Sequence, residues 1–182
     1  MASCTTGQAI VESLLRHGVD TVFGIPGAHT YDLFDALHGV GNRIRFITTR
    51  HEQGAGYLAF GYAKSTGKPG VFSVVPGPGV LNAGAALCTA LGACTPLLCL
   101  TADIPSAFIG RGRGIVHELP DQLATLGSIT KWAGRIDHPT RGSGQGGRSL
   151  PAHGVGASRP RGPGHALGCP RSALAVWLLA RT

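Results

Sequence analysis

The chemistry that this 182-residue sequence can support centres on one carboxylate, Glu52. Glu52 lies in the segment 50–57, shortly after the β-rich run 44–48 and at the start of a stretch rich in Ala and Gly. The pattern predicts that Glu52 begins a helix at the mouth of a β-sheet, with small residues packed behind it. An acid in that position can contact a flat heteroaromatic ligand. The structural alternative is an acid that only complements the helix dipole.

The elements that would position Glu52 follow from the periodicity of residues 5–137. Thr5 and Gln8 form a capping box, and an apolar stripe of helical period follows them. Further helices are expected over 31–37, 51–65, 80–91 and 118–127, and strands over 22–25, 44–48, 71–75, 96–101 and 132–136. Short apolar strands that alternate with helices predict an α/β fold, a doubly wound parallel sheet flanked by helices.

Three loops are expected to meet at one edge of this sheet. The segments 24–27, 49–52 and 76–79 each follow or end a predicted strand. In parallel sheets, sites form beyond the carboxyl ends of the strands, where loops lead into helices. The sequence therefore predicts a site at this edge.

Five segments, taken in order, resemble the pyrimidine-binding (PYR) domain of thiamine-diphosphate enzymes of the acetolactate synthase and benzaldehyde lyase type. They are 23–27 (Phe-Gly-Ile-Pro-Gly), 50–56 with 61–63, 76–82 (Pro-Gly-Pro-Gly-x-x-Asn), 95–98, and 121–122 followed by 129–132. Each motif alone is weak, but their order and spacing cover nearly a whole PYR domain. The resemblance implies that residues 1–137 form such a domain.

The resemblance also implies roles for residues at the predicted edge. In this family the glutamate hydrogen-bonds a ring nitrogen of the cofactor's aminopyrimidine. That bond favours the imino tautomer, whose exocyclic nitrogen removes the proton from the thiazolium carbon. Glu52 is therefore the expected catalytic residue, and thiamine diphosphate is the expected cofactor. The residues expected to bind it are Pro26, Glu52, Gly77, Pro78, Gly79 and Asn82.

Three further residues are expected on the substrate side: Ala28, His29 and His117. In the benzaldehyde lyase branch, a histidine at the motif that ends in His29 faces the substrate. In relatives, the segment 114–122 reaches towards a neighbouring active site, and His117 lies in it. An exposed loop histidine is the alternative for both. The implied substrate is a small 2-oxo acid or aldehyde, and ligation, lyase and decarboxylation reactions all stay open.

The sequence lacks the Gly-Asp-Gly motif with which family members bind Mg²⁺ and the diphosphate in a separate C-terminal (PP) domain. In the family, the active site lies between the PYR domain of one subunit and the PP domain of another. We therefore expect a truncated PYR domain with half a site, inactive alone, that binds Mg²⁺ only together with a PP domain. The full-length form is expected to be a homo-oligomer. A non-catalytic or split-enzyme PYR subunit is the alternative.

Residues 138–182 differ in composition from the rest, with nine Gly, five Pro, six Arg and no acidic residue. Such a segment cannot bury enough apolar surface to offset its ordering entropy, so we expect a disordered tail over this range. The abrupt change after Asp137 leads to the hypothesis that the tail is read in a shifted frame, which the nucleotide sequence would test. The alternative is a basic linker that binds nucleic acid or anionic lipid, but it lacks Lys clusters and interleaved aromatics.

The remaining composition predicts neither a nucleic-acid nor a membrane partner. Nearly all of the net charge of +7 belongs to the tail. No signal peptide is evident, and the apolar run 173–180 is shorter than the about 20 residues that cross a bilayer. The five cysteines form no CxxC pair, so we expect no metal site. We expect a cytoplasmic protein.

Overall fold

A central parallel sheet organises the computed structural model, which describes residues 5–136 and 174–179. The strands are β1 (Thr21–Gly24), β2 (Arg45–Thr48), β3 (Gly70–Ser73), β4 (Leu97–Ala102), β5 (Trp132–Ile136) and β6 (Leu174–Leu179). The α-helices are α1 (Thr6–Arg16), α2 (Tyr31–Gly39), α3 (Glu52–Thr66), α4 (Pro78–Gly92) and α5 (Gln122–Ile129), with short 3₁₀ helices at Gly41–Arg43 and Ser106–Phe108. The strand order is β2-β1-β3-β4-β6-β5, and all neighbouring strands run parallel.

Helices cover both faces of the sheet, which confirms the predicted doubly wound α/β class. One hydrophobic cluster joins α1 and α2 to the sheet, and a second joins α3, α4 and α5 to the opposite face. Neighbouring strand residues alternate between the two clusters, as the side-chain period of a strand requires. Val71 belongs to the first cluster and Phe72 to the second.

Three helices begin at positions other than those predicted, and one of them, α3, begins only one residue late, at Glu52 instead of 51. α4 begins at Pro78 instead of 80, because proline lacks the N–H that a first helical residue leaves unbonded anyway. α5 begins at Gln122 instead of 118, because Asp121 caps it by accepting a 2.8 Å hydrogen bond from the backbone N–H of Ala124. The predicted capping box of Thr5 and Gln8 is confirmed.

The predicted tail contains one strand of the sheet. β6 lies between β4 and β5 and pairs with both. The structure therefore differs from the expected disorder at residues 174–179, and the apolar sequence of this segment suits a strand inside a parallel sheet. The rest of the range 138–182 lies outside the described residues. Within the described part of the chain, no helix is both long and apolar enough to span a membrane.

α3 and α4 pack closely because one helix presents a glycine to the other. A Cβ added at Gly56 would lie 2.6 Å from the Cβ of Ala86, inside ordinary contact distance. Two polar contacts also join the helices along this line. The hydroxyls of Tyr57 and Thr89 are 3.1 Å apart, and the Lys64 ammonium donates to the carbonyl of Ala93.

We predict that Gly56→Ala destabilises the fold, although alanine is the better helix former. The added methyl group would push α3 away from α4, and overpacking of this kind costs about 1–3 kcal/mol. Denaturant unfolding measures the change. Gly61→Ala is the matched control on the same helix, since nothing lies within 4 Å of an added Cβ there. It should stabilise the fold by about 0.5–1 kcal/mol, and an equal gain in Gly56→Ala would contradict the close packing.

A polar network at the edge of the sheet where the strands begin ties the C-terminal end of α3 to β1. Asp20 precedes β1 and accepts 2.6 Å hydrogen bonds from the Lys68 ammonium and the Tyr62 hydroxyl. A third bond comes from the Thr21 hydroxyl at 2.9 Å. These donors, Lys68 first, hold the pKa of the Asp20 carboxyl well below its usual range.

We predict that this network makes stability depend on pH in the acid range. A carboxyl group whose pKa is depressed by folding contributes stability above its unfolded pKa of about 3.9, and that contribution is lost as the pH falls. Asp20→Asn should therefore lower the free energy of unfolding at pH 7, and the deficit should shrink between pH 4 and the acid limit of folding. Denaturant unfolding at several pH values checks this, with the exposed Asp35→Asn as control. A deficit that does not change with pH would refute the ionic origin.

Candidate functional site

The candidate site is built from loops at the carboxyl edge of the sheet. β2, β1 and β3 are neighbours, so the connections that follow them lie side by side at this edge. They lead into α3, α2 and α4 respectively. The N-termini of three helices thus face one edge, where backbone N–H groups and the helix dipoles favour polar ligands.

Glu52 is the first residue of α3, as its sequence context predicts. His51 caps the helix, and its Nδ1 accepts a 3.2 Å hydrogen bond from the backbone N–H of Gln53. The Thr49 hydroxyl donates to the carbonyl of His51 at 3.0 Å. His51 therefore fixes the start of the helix, and thereby the position from which the Glu52 side chain extends.

The Glu52 carboxylate pairs with Asn82 of α4. The Asn82 side-chain amide donates to Oε2 of Glu52 at 3.0 Å. Asn82 is exposed and Glu52 is half-buried. Among the described residues, no hydrogen bond reaches the other carboxylate oxygen, Oε1. The site thus contains one anchored oxygen and one free acceptor.

The turn before α4 requires glycine at position 77. Gly77 has φ of 60°, and a Cβ there would lie 2.5 Å from the carbonyl oxygen of His117. Its backbone N–H donates at 2.7 Å to the buried side chain of Gln122, which in turn donates at 2.7 Å to the carbonyl of Ala102. Gln122 therefore clamps this turn to the end of β4.

Sequence reasoning missed this clamp and placed Gln122 only in a segment near the site. The available signal was weak, because it consisted of one polar residue directly after a helix-capping aspartate.

The two loops that contain Pro26 and Pro78 approach each other around Val75. A Cβ at Gly27 would lie 2.5 Å from Cγ1 of Val75, and one at Gly79 would lie 2.7 Å from Cγ2. Both prolines are exposed beside these glycines. The structure thus brings Pro26, Gly77, Pro78 and Gly79 into one rim of closely packed turns.

Thr30 holds the first of these loops in shape. Its buried hydroxyl donates to the carbonyl of Gly27 at 2.8 Å and accepts from the N–H of the same residue at 3.3 Å. Ala28 and His29 are half-buried on the loop between them.

His29 and His117 form a pair of perpendicular rings whose centroids are 5.8 Å apart. Both have positive φ, 70° and 69°, which is uncommon for a non-glycine residue and often occurs at functional sites. Nε2 of His29 lies 3.1 Å from the carbonyl of Val116. Because a carbonyl only accepts, this nitrogen carries the proton, and neutral His29 has a bare Nδ1.

The Nδ1 atoms of both rings are buried and have no hydrogen-bond partner. Burial and, second, the neighbouring His29 lower the pKa of His117. The pair therefore presents buried nitrogen atoms that are available to a ligand. No hydrogen bond in the described part of the chain links this histidine pair to the pair of Glu52 and Asn82.

The described residues include no group of three or more His, Cys, Asp or Glu side chains that could hold a metal ion.

Known proteins are similar in sequence to this chain over the domain that contains the site. The family described as "Thiamine pyrophosphate enzyme, N-terminal TPP binding domain" matches residues 4–125. A probable 2-ketoarginine decarboxylase of Pseudomonas aeruginosa is 50% identical over 129 residues, which are 71% of this chain and 23% of that protein. The mitochondrial acetolactate synthase catalytic subunit of Saccharomyces cerevisiae is 38% identical over 128 residues, which are 70% of this chain and 18% of that protein.

The chain thus spans less than a quarter of the length of these relatives. The family match covers well over half of the chain and includes the loops that form the rim, Glu52 and Asn82. This chain belongs to the thiamine pyrophosphate enzyme family and contains its N-terminal TPP-binding domain.

Proposed function

We propose that this chain provides the aminopyrimidine-binding half of a thiamine-diphosphate enzyme that forms or cleaves a carbon–carbon bond in small 2-oxo acids or aldehydes. Glu52 is its proposed catalytic residue. The observation that carries the proposal is the pair of Glu52 and Asn82 at the carboxyl edge of the sheet, with one carboxylate oxygen anchored and the other free.

The residues present fit the pyrimidine part of this cofactor. A protonated ring nitrogen needs an acceptor, and Oε1 of Glu52 is one. The neighbouring rim is a turn in which Gly77 packs against the His117 backbone and Gly79 against the Val75 side chain, so it offers a fixed surface beside Glu52 for a flat ring. The ligands of Mg²⁺ are not part of this fit, since the described residues contain no group of three or more His, Cys, Asp or Glu side chains that could hold a metal ion.

Bound thiamine diphosphate would supply the electron sink for the reaction. Glu52 would hold a proton at Oε1, between its carboxylate and the ring nitrogen, while Asn82 fixes Oε2. The turn that contains Gly77, Pro78 and Gly79 would pack against the ring, and Pro26 would border it from the neighbouring loop.

His29 and His117 would lie on the substrate side, together with Ala28. Their buried and unpartnered Nδ1 atoms support this placement, because buried polar atoms normally have partners. A 2-oxo acid or aldehyde carries carbonyl and carboxylate oxygens, and a neutral His117 can donate to one of them from Nδ1 in the tautomer that carries its proton there. The relatives' names include both a decarboxylase and a synthase, and the proposed reaction class includes both cleavage and formation of a carbon–carbon bond.

The proposed partner of this domain is a PP domain, which would supply Mg²⁺ and the diphosphate site in a homo-oligomeric enzyme. Exposed apolar side chains on α3 and α4 support the proposal that another domain packs over these helices. They are Tyr57, Leu58, Leu81 and Leu91, each 39–54% exposed.

We predict that Glu52→Gln abolishes most of the activity of an enzyme that contains this domain. The test replaces the matching segment of the Pseudomonas relative with that of this chain and measures turnover of 2-oxo acids with thiamine diphosphate and Mg²⁺. Loss of the proton-holding carboxylate should reduce kcat by about 10²–10⁴-fold. Glu12→Gln is the matched control, because Glu12 is an exposed acid of α1 that pairs with Arg16. Full turnover by Glu52→Gln would exclude the proposed role.

We also predict that the chain alone binds thiamine diphosphate in the millimolar range, with a dissociation constant of about 1 mM, because the proposed PP-domain partner would supply the contacts to the diphosphate. Calorimetric titration with Mg²⁺ present measures the affinity. Binding well below the millimolar range by the chain alone would contradict the half-site proposal.

A further inference from the structure

We infer that Asn82 is a positioning residue for Glu52 and acts on the cofactor through that carboxylate instead of by direct contact. The inference rests on the proposed function of Glu52. It starts from the 3.0 Å hydrogen bond between the Asn82 amide nitrogen and Oε2 of Glu52.

The position of Asn82 on α4 determines what its side chain can reach. Asn82 and Thr89 are seven residues apart, two helical turns, so they lie on the same side of α4. Thr89 contacts Tyr57 of α3, and Asn82 contacts Glu52 of the same helix. The close approach at Gly56 lies between these two contacts and brings the short Asn82 side chain within reach of Glu52.

The chemistry of the pair explains what this contact does. A glutamate side chain at a helix start populates several rotamers. Fixing one of them when a ligand binds costs conformational entropy. A hydrogen bond to one carboxylate oxygen selects a rotamer in advance and leaves the second oxygen directed elsewhere. Preorganisation of this kind strengthens binding without adding a contact to the ligand. Asn82 has no other side-chain hydrogen bond within residues 5–136.

A purely structural role for Asn82, as a tie between α3 and α4, would have a different consequence. If Asn82 only ties α4 to α3, then loss of the other tie, between Thr89 and Tyr57, should have the same effect. Thr89→Val is therefore the matched control, and Asn82→Ala is the test variant. Both positions are exposed and both replacements are tolerated in helices, so both variants should fold.

The first measurement uses the full chain without cofactor. The side-chain amide signals of Asn82 in NMR spectra should shift with pH as Glu52 changes from carboxylate to carboxylic acid. The shift should vanish in Glu52→Gln and persist in Thr89→Val. Amide signals that do not respond to pH, or that respond equally in Glu52→Gln, would overturn the inference.

The second measurement compares two ligands by NMR titration of the full chain with Mg²⁺, which detects dissociation constants in the millimolar range. One ligand is thiamine diphosphate, and the other is its analogue with carbon in place of the pyrimidine nitrogen that Glu52 would bond. Asn82→Ala should weaken binding of thiamine diphosphate by roughly fivefold or more and leave binding of the analogue unchanged. Thr89→Val should change neither.

Equal weakening for both ligands would overturn the inference, because Asn82 would then act directly or through the fold. If Glu52→Gln binds both ligands as the unchanged chain does, the proposed role of Glu52 fails, and the inference fails with it. If the unchanged chain binds neither ligand, the proposed function of the chain fails, and the amide titration alone decides whether Asn82 positions Glu52.

Discussion

The close packing of α3 against α4 is the constraint on which the candidate site depends. Glu52 begins α3 and Asn82 lies near the start of α4, so their separation follows from the distance between the two helices. That distance is small because Gly56 has no side chain to place between α3 and Ala86. A larger residue would separate the helices and with them the carboxylate from its amide donor. A backbone feature buried in the core thereby controls the geometry of a polar pair at the rim.

A second constraint holds the loops on the other side of the rim. The Gly77 turn, the His117 backbone and the buried Gln122 side chain form one connected unit, anchored to the end of β4 through the carbonyl of Ala102. Positive φ at His29 and His117 costs free energy, and such strain persists only where the surroundings over-determine the conformation. The clamp from Gln122 and the bond from His29 to Val116 are the contacts that do so. These contacts hold the loop backbone in place at the two histidines.

Much of this arrangement could be predicted from the sequence, and the rest depends on distances between elements. The strand and helix alternation predicted the doubly wound sheet, and the helix start at Glu52 followed from small residues after a β-rich run. The pairing of Glu52 with Asn82 could not be predicted, because residues 30 positions apart meet only once the packing at Gly56 is known. The start of α4 at Pro78 was missed because a Gly-Pro-Gly segment is typical of both a turn and a helix entrance. The strand at residues 174–179 was missed because the composition of its neighbours indicated disorder.

The two side-chain pairs of the site differ in their supports, because Glu52 and Asn82 lie on packed helices and His29 and His117 lie on loops. Glu52 and Asn82 lie on two helices whose buried faces include fully buried alanines, so the spacing of their backbones can change only if the core changes. His29 and His117 lie on loops, where sequence can vary without loss of the fold. A domain built this way can keep one cofactor geometry while its loops adapt to different substrates. Relatives named as a decarboxylase and as a synthase, both similar over the same domain, are consistent with that division. Under the proposed function, the substrate would therefore depend on the loops around His29 and His117 and not on the pair of helices that carries Glu52.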